Sequence, residues 1–183
     1  MECSVKEGAE MNISCTATRK NGIKNTIKRL EQYRDGLDKK CELFVKRLSD
    51  IGITSIKASL GSISPVYRGT TDVTSEGVKW DGNGYTATIH MGGDQALFIE
   101  FGSGVTFNAP KGGSLHPKGK ELGMTIGSYN PESPNATNPG GWWYTDRWGV
   151  SQHTYGTPTF APMYNSFLEM RTAVLSVAKE VFK

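Results

Sequence analysis

The chain has 183 residues, of which 37% are hydrophobic, and its formal net charge is +3. This length is enough for one domain whose hydrophobic core needs neither metals nor disulfides. The charge is far below the basic excess of a dedicated nucleic-acid-binding protein, so it indicates no partner by itself. No apolar run approaches the roughly 18 residues of a membrane span, so we expect no membrane partner.

We interpret the first 21 residues as an N-terminal leader that precedes the folded domain. They carry acidic residues and no apolar run, so we expect neither a signal nor a transit peptide. Residues 11–17 alternate apolar and polar side chains, which predicts one short strand. Cys3, Cys15 and Cys41 form no CxxC motif and indicate folding in a reducing cytosol. We therefore expect a leader over 1–21 and a single domain over 22–183.

A long amphipathic helix is predicted over residues 22–51, because apolar side chains recur there at intervals of three and four. Its apolar positions are Ile23, Ile27, Leu30, Leu37, Cys41, Phe44, Leu48 and Ile51. Gly36 is the expected place for a kink, and Gly52 is the expected stop.

Residues 53–91 have β character, with apolar residues separated by Gly, Ser, Thr and Pro. The run 81–84, Asp-Gly-Asn-Gly, predicts the turn of a hairpin that Trp80 enters and Tyr85 leaves. Asp94 is then expected to cap a short helix with Leu97, Phe98 and Phe101 on its apolar side, and Gly102 to end that helix.

Residues 102–158 hold much of the glycine and proline, show no sustained period and predict an irregular loop, which is typical of a binding segment. A second helix is predicted over 161–182, with Pro162 in its first turn. The predicted class is α+β, in which a long N-terminal helix and a C-terminal helix pack on a small antiparallel sheet.

No motif indicates catalysis. His90, His116 and His153 could converge on a metal with Asp94 or Glu100, but none has the spacing of a metal-binding pair. The serines match no GxSxG motif, and the lysines flanked by glycine match no phosphate-binding loop. We therefore expect no catalytic residue, no metal and no cofactor.

Basic residues concentrate in the predicted long helix. Between Arg19 and Arg47 there are ten basic and four acidic residues, a net charge of +6, whereas the remainder carries −3. The excess is typical of the solvated face of a helix, and it also fits attraction to DNA phosphates or to an acidic subunit. The candidate basic residues are Lys20, Lys24, Lys28, Arg29 and Arg34.

The densest aromatic group comprises Trp142, Trp143, Tyr144 and Trp148. Such a group can anchor a loop, form a subunit interface or stack on sugars, so a carbohydrate or cell-wall-binding module is an alternative function. Glu100 is a carboxylate between apolar neighbours. It either faces solvent or accepts hydrogen bonds from nearby glycine-rich backbone.

Five segments occur in an order that resembles the tail-completion, or head-tail joining, proteins of tailed bacteriophages, especially those of Gram-positive hosts. They are EFGSG (100–104), HPKGKELG (116–123), GSYNP (127–131), GGWWYTD (140–146) and HTYGTPTFAPMY (153–164). The resemblance covers residues 22–183. Its strength lies in the order of the segments, since EFGSG alone is a weak motif.

The resemblance implies a non-enzymatic structural protein of the virion neck, assembled in the host cytoplasm. Such a protein forms a ring with itself, commonly a hexamer, between the head connector or stopper and the tail terminator or tail tube, with nonspecific contact to DNA in the channel. A tail terminator of the same region is the alternative. The implied fold is also α+β.

Two groups of residues match the family's motifs. Glu100, Phe101, Gly102 and Gly104 match the EFG turn, while Gly156, Pro158, Pro162 and Met163 match a G-x-P step followed by P-M at the start of the last helix. Trp142, Trp143 and Tyr144 are further interface candidates. Tyr155 and Thr157 depart from the Arg or Gln of many relatives.

Overall fold

The computed structural model describes residues 22–105, 107, 115–124, 138–146 and 148–183. The elements in chain order are α1 (Gly22–Ser62), α2 (Pro65–Arg68), β1 (Asp72–Trp80), β2 (Tyr85–Gly92), α3 (Ala96–Phe101), β3 (Trp142–Thr145), β4 (Ser151–Thr154) and α4 (Pro162–Val181). The predicted α+β class, with a long helix near each end of the domain, is confirmed. The strands form two separate two-stranded sheets.

Several sequence-based predictions lie outside the described residues. They are the leader and strand within 1–21, Cys3, Cys15, Lys20 and the GSYNP segment.

The first helix is longer than predicted. It passes Gly36 and Gly52 without interruption and ends at Ser62, so the predicted stop and the β character of 53–62 were wrong. Gly52 is buried because α4 approaches it closely: a Cβ there would lie 2.6 Å from the Met170 sulfur. The Ser166 hydroxyl also donates to the Gly52 carbonyl oxygen over 3.0 Å. This glycine permits helix contact and does not terminate the helix.

The predicted β1–β2 hairpin is confirmed. In β2 the partly buried side chains alternate with exposed ones along the strand, which is the expected period of two. In the turn, the Asp81 carboxylate accepts the backbone N–H groups of Asn83 and Gly84, each over 2.9 Å. These bonds lower the pKa of Asp81, because they stabilise its charged form.

The described chain groups into two compact units, and α1, β1, β2 and α4 each contribute to both. One comprises residues 22–48, 77–87 and 173–183. Within it, Phe44 packs against Phe182 at 5.7 Å between ring centroids, and Arg47 bonds Glu180 over 2.6 Å. The predicted single domain over 22–183 stays a prediction.

The second unit comprises 49–76 and the described residues of 88–172. Its apolar core is formed by Ile56, Leu60, Ile63, Val73 and Ile99. The core therefore joins the second half of α1 to β1 and to α3, whose last two residues begin the EFGSG motif.

Candidate functional site

The short helix α3 begins the EFGSG motif. It starts after Gln95, which occupies the N-cap position that the sequence predicted for Asp94 and makes no side-chain cap. Gly102 ends it as predicted, with φ of 76° and its N–H donated to the Phe98 carbonyl. Leu97, expected on the apolar side, is 52% exposed, whereas Phe101, expected on the same side, is buried.

Glu100 is a buried carboxylate, only 6% exposed, whose two oxygens bind the start of α4. Oε2 accepts the backbone N–H of Met163 over 2.9 Å, and Oε1 accepts that of Tyr164 over 3.0 Å. Of the two alternatives that the sequence left open, hydrogen bonding to backbone is the correct one. The donors are the helix terminus and not a glycine-rich loop.

The α4 terminus needs this carboxylate because its own residues cannot cap it. Ala161 precedes the helix with a positive φ of 51° and has no side-chain acceptor. Pro162 has no N–H, and the Asn165 N–H already bonds the Ala161 carbonyl over 3.0 Å. Glu100 therefore satisfies the two remaining donors and places a negative charge at the positive end of the helix dipole.

His116 holds the same carboxylate from the loop 115–124. Its Nε2 lies 2.9 Å from Glu100 Oε1, and its Nδ1 accepts the Lys118 N–H over 3.0 Å. Because Nδ1 is an acceptor, Nε2 carries the proton and donates it to Glu100. The imidazole is buried between the rings of Phe101, at 4.6 Å, and Tyr164, at 5.2 Å.

The EFGSG and HTYGTPTFAPMY segments also pair through their backbones. Ser103 and Thr157 exchange both N–H···O bonds, at 2.8 and 3.0 Å. Gly104 has φ of 71°, and a Cβ there would lie 2.7 Å from the Tyr155 carbonyl oxygen, so only glycine fits. We call this assembly of residues 100–104, His116 and 156–164 the Glu100 junction.

The Trp-rich segment contains two short strands, although the sequence predicted no regular structure there. Strands β3 and β4 pair antiparallel, with Trp142 opposite Thr154, Trp143 opposite His153 and Tyr144 opposite Gln152. His153, expected on a loop, therefore lies on β4. Four-residue strands are too short to give a recognisable period in the sequence.

This hairpin has two different faces. Trp142, Tyr144, Gln152 and Thr154 line a cleft of about 380 Å³, which we call the hairpin cleft. Trp143 is 68% exposed and its ring lies 5.0 Å from that of His153. Loop anchoring, one of the three expected roles for these aromatics, therefore fits the partly buried Trp142 better than Trp143.

The first half of α1 carries an exposed apolar row. Ile23, Ile27, Leu30 and Leu37 are 40–59% exposed, although they occupy the predicted apolar positions of the helix. We call these four residues the α1 stripe. Such a row of large exposed apolar side chains is typical of an interaction surface.

The basic candidates on α1 differ in their surroundings. Lys24, Lys28 and Arg29 are exposed, and the structure gives them no ion pair with any described residue. Arg34 bonds the neighbouring Asp35 over 3.0 Å, and this contact raises the pKa of the guanidinium. Among these four candidates, the residues without an ion pair to a described residue therefore lie near the start of the helix.

The described part of the chain contains no group of three or more His, Cys, Asp or Glu side chains placed to hold a metal ion. His90 lies instead on β2 and pairs with Glu76 over 3.0 Å on the surface. Among the same residues, none of the helices has the length and apolar character needed to cross a membrane.

The structure thus brings Glu100, Phe101, Gly102, Gly104, Gly156, Pro162 and Met163 together, with Pro158 in the intervening segment. Sequence reasoning considered His116 beside Glu100 only as a metal ligand and missed it as a direct hydrogen-bond partner of that carboxylate. Comparison of the chain with protein-family models, with curated proteins and with solved structures found no significant match.

Proposed function

We propose that this chain is a structural subunit of the neck of a tailed phage, where copies form a ring that joins the head connector to the tail. The observation that carries the proposal is the Glu100 junction. The EFGSG and GTPTFAPMY segments, whose order gives the resemblance to tail-completion proteins, meet there and bind each other directly.

The chemistry of the junction supports a scaffold function. Both oxygens of Glu100 are occupied by helix N–H groups, and its remaining contact is to a histidine whose two nitrogens are also bonded. A general base needs a carboxylate within reach of a substrate proton. Glu100 and His116 line a cavity of about 390 Å³. The hydrogen bonds of the carboxylate are nevertheless all made to protein N–H groups, which supports its role in fixing the start of α4.

The α1 stripe supplies a surface for assembly. Its spacing of three and four residues is the pattern by which one helix packs against another. A closed ring uses heterologous contacts, so the stripe of one copy meets a different surface of the next. Lys24, Lys28 and Arg29 lie on the same helix segment and supply positive charge toward a polyanion, either the DNA in the channel or an acidic partner ring.

The assembly claim is tested with a double substitution in the stripe, Ile27→Gln with Leu30→Gln. Both side chains are exposed and the charge does not change, so the variant keeps its helix content. We expect the yield of tailed particles, counted by negative-stain electron microscopy after complementation of a phage that lacks this chain, to fall by more than about tenfold.

The matched control is Asn25→Ala with Gln32→Ala, two exposed polar positions of the same helix that lie outside the stripe. The control is expected to leave the particle yield unchanged. A full yield of tailed particles from the Ile27→Gln, Leu30→Gln variant would contradict an assembly role for the stripe.

A further inference from the structure

The hairpin cleft has the composition of a small-molecule site. We propose that it binds a neutral carbohydrate, an activity separate from ring assembly. Its volume of about 380 Å³ lies within the range of ligand sites, which are concave, largely apolar and supplied with a few polar groups. The residues that carry the argument are Tyr67, Phe98, Trp142, Tyr144, Gln95 and Gln152.

The strand register explains why these side chains meet. Trp142 and Tyr144 are two residues apart on β3 and therefore share one face of the hairpin. Gln152 lies opposite Tyr144 on β4, which places an amide beside an aromatic ring on that same face. Tyr67 and Phe98, from the α2 and α3 helices, supply further rings in the cleft.

This lining matches the two kinds of surface on a sugar. A pyranose ring has an apolar C–H face, which packs against aromatic rings, and a rim of hydroxyl groups that both donate and accept hydrogen bonds. Gln95 and Gln152 have amides that do the same. One N–H of Gln152 is directed to Asp146 at 3.3 Å, and its carbonyl oxygen has no protein donor among the described residues.

Charge separates a neutral sugar from other ligands. The described lining of the cleft includes no Lys, Arg, Asp or Glu, and His153 is its only residue with a basic side chain. Among these described residues, a nucleotide or phosphorylated ligand would find no Lys or Arg partner. The α1 stripe of a second copy is also a poor fit, because its neighbours Lys24, Lys28 and Glu31 would find no charged partner in the cleft.

The test uses the full chain and three neutral trisaccharides: maltotriose, cellotriose and tri-N-acetylglucosamine. We expect saturation-transfer NMR to detect at least one of them at concentrations up to about 10 mM, and titration calorimetry to give its Kd. Tyr144→Ala and Gln152→Ala should each raise that Kd by about fivefold or more, since each removes a direct contact.

Trp148→Ala is the matched control, because Trp148 is an aromatic of the same segment that is 73% exposed and is not part of the described cleft lining. It should leave the Kd unchanged. Far-ultraviolet circular dichroism confirms that each variant is folded before binding is measured.

Three outcomes would overturn the proposal. The first is no saturation transfer from any of the three sugars. The second is an equal loss of binding in Trp148→Ala and Tyr144→Ala. The third is a change of oligomeric mass in Tyr144→Ala, measured by light scattering, with no change in sugar binding, which would make the cleft a contact between copies.

Discussion

The Glu100 carboxylate ties three parts of the chain together: the short helix that carries it, the start of α4 and the loop that carries His116. Its partners Met163 and Tyr164 are more than sixty residues away in the chain. No local pattern predicts such a contact, so the sequence could limit the role of Glu100 to two alternatives but could not choose between them.

Replacing Glu100 tests this junction. Glu100→Ala leaves two partly buried N–H groups of α4 and the buried His116 N–H without an acceptor. We therefore expect the free energy of unfolding to fall by about 3 kcal/mol in urea titrations. The free energy of unfolding should fall less in Glu100→Gln, because the amide oxygen still accepts one of these bonds. Glu169→Ala, an exposed carboxylate on α4, should change the value by less than about 0.5 kcal/mol.

Equal stability of Glu100→Ala and Glu169→Ala would show that the α4 terminus does not depend on this carboxylate.

Asp81 gives the β1–β2 turn a dependence on pH. The N–H groups of Asn83 and Gly84 lower the pKa of this carboxyl below its unfolded value of about 3.9. A lowered pKa means that the stabilising effect is complete well above that value and is lost as the pH falls through the folded pKa. Asp81→Asn keeps a side-chain oxygen acceptor but does not titrate.

We therefore expect the stability difference between the native chain and Asp81→Asn to be constant above about pH 5 and to shrink below about pH 4. Thermal unfolding midpoints measured from pH 3 to pH 7 give this difference. Asn83→Ala, which keeps the backbone N–H, should retain the native profile. If the stability difference between the native chain and Asp81→Asn did not change with pH, the proposed effect of the Asp81 carboxylate on the turn would be contradicted.

The elements differ in how far the sequence predicts them. Residues 22–51 of α1, the β1–β2 hairpin and α4 follow from periods of 3.6 and two and from strong turn residues. The end of α1 did not follow, because a glycine can either stop a helix or allow another helix to come close, and only tertiary packing distinguishes these uses. Strands β3 and β4 depend on pairing with each other and are too short for a period.

Two of the glycines of α1, Gly36 and Gly52, give a direct test of helix packing at this scale. Gly36 has no atom near its missing Cβ, so Gly36→Ala should raise the free energy of unfolding by about 1 kcal/mol through helix propensity. Gly52→Ala should lower it by about 1–3 kcal/mol, since the new Cβ meets the Met170 sulfur at 2.6 Å and Ile89 Cδ1 at 2.9 Å.

Circular dichroism at 222 nm during urea unfolding gives both values. Stabilisation by both substitutions would contradict the close packing of α4 at Gly52.

For the whole molecule, the order of the motifs along the sequence carried more information than any one of them. The resemblance linked EFGSG to GTPTFAPMY, and these segments pack together in the Glu100 junction. The hairpin cleft was not predictable, because it needs Tyr67 and Phe98 from distant segments to meet the Trp-rich strands. The exposure of the α1 stripe was not predictable either, because it depends on which parts of the folded chain pack against this helix.

The central claim is that this chain occupies the neck of a virion. Electron cryomicroscopy of intact phage particles, with the chain identified by fitting its two long helices into the density, measures that position directly. We predict a ring of copies at the junction between head and tail. Density for the chain at any other site in the particle, or its absence from the purified particle, would contradict the claim.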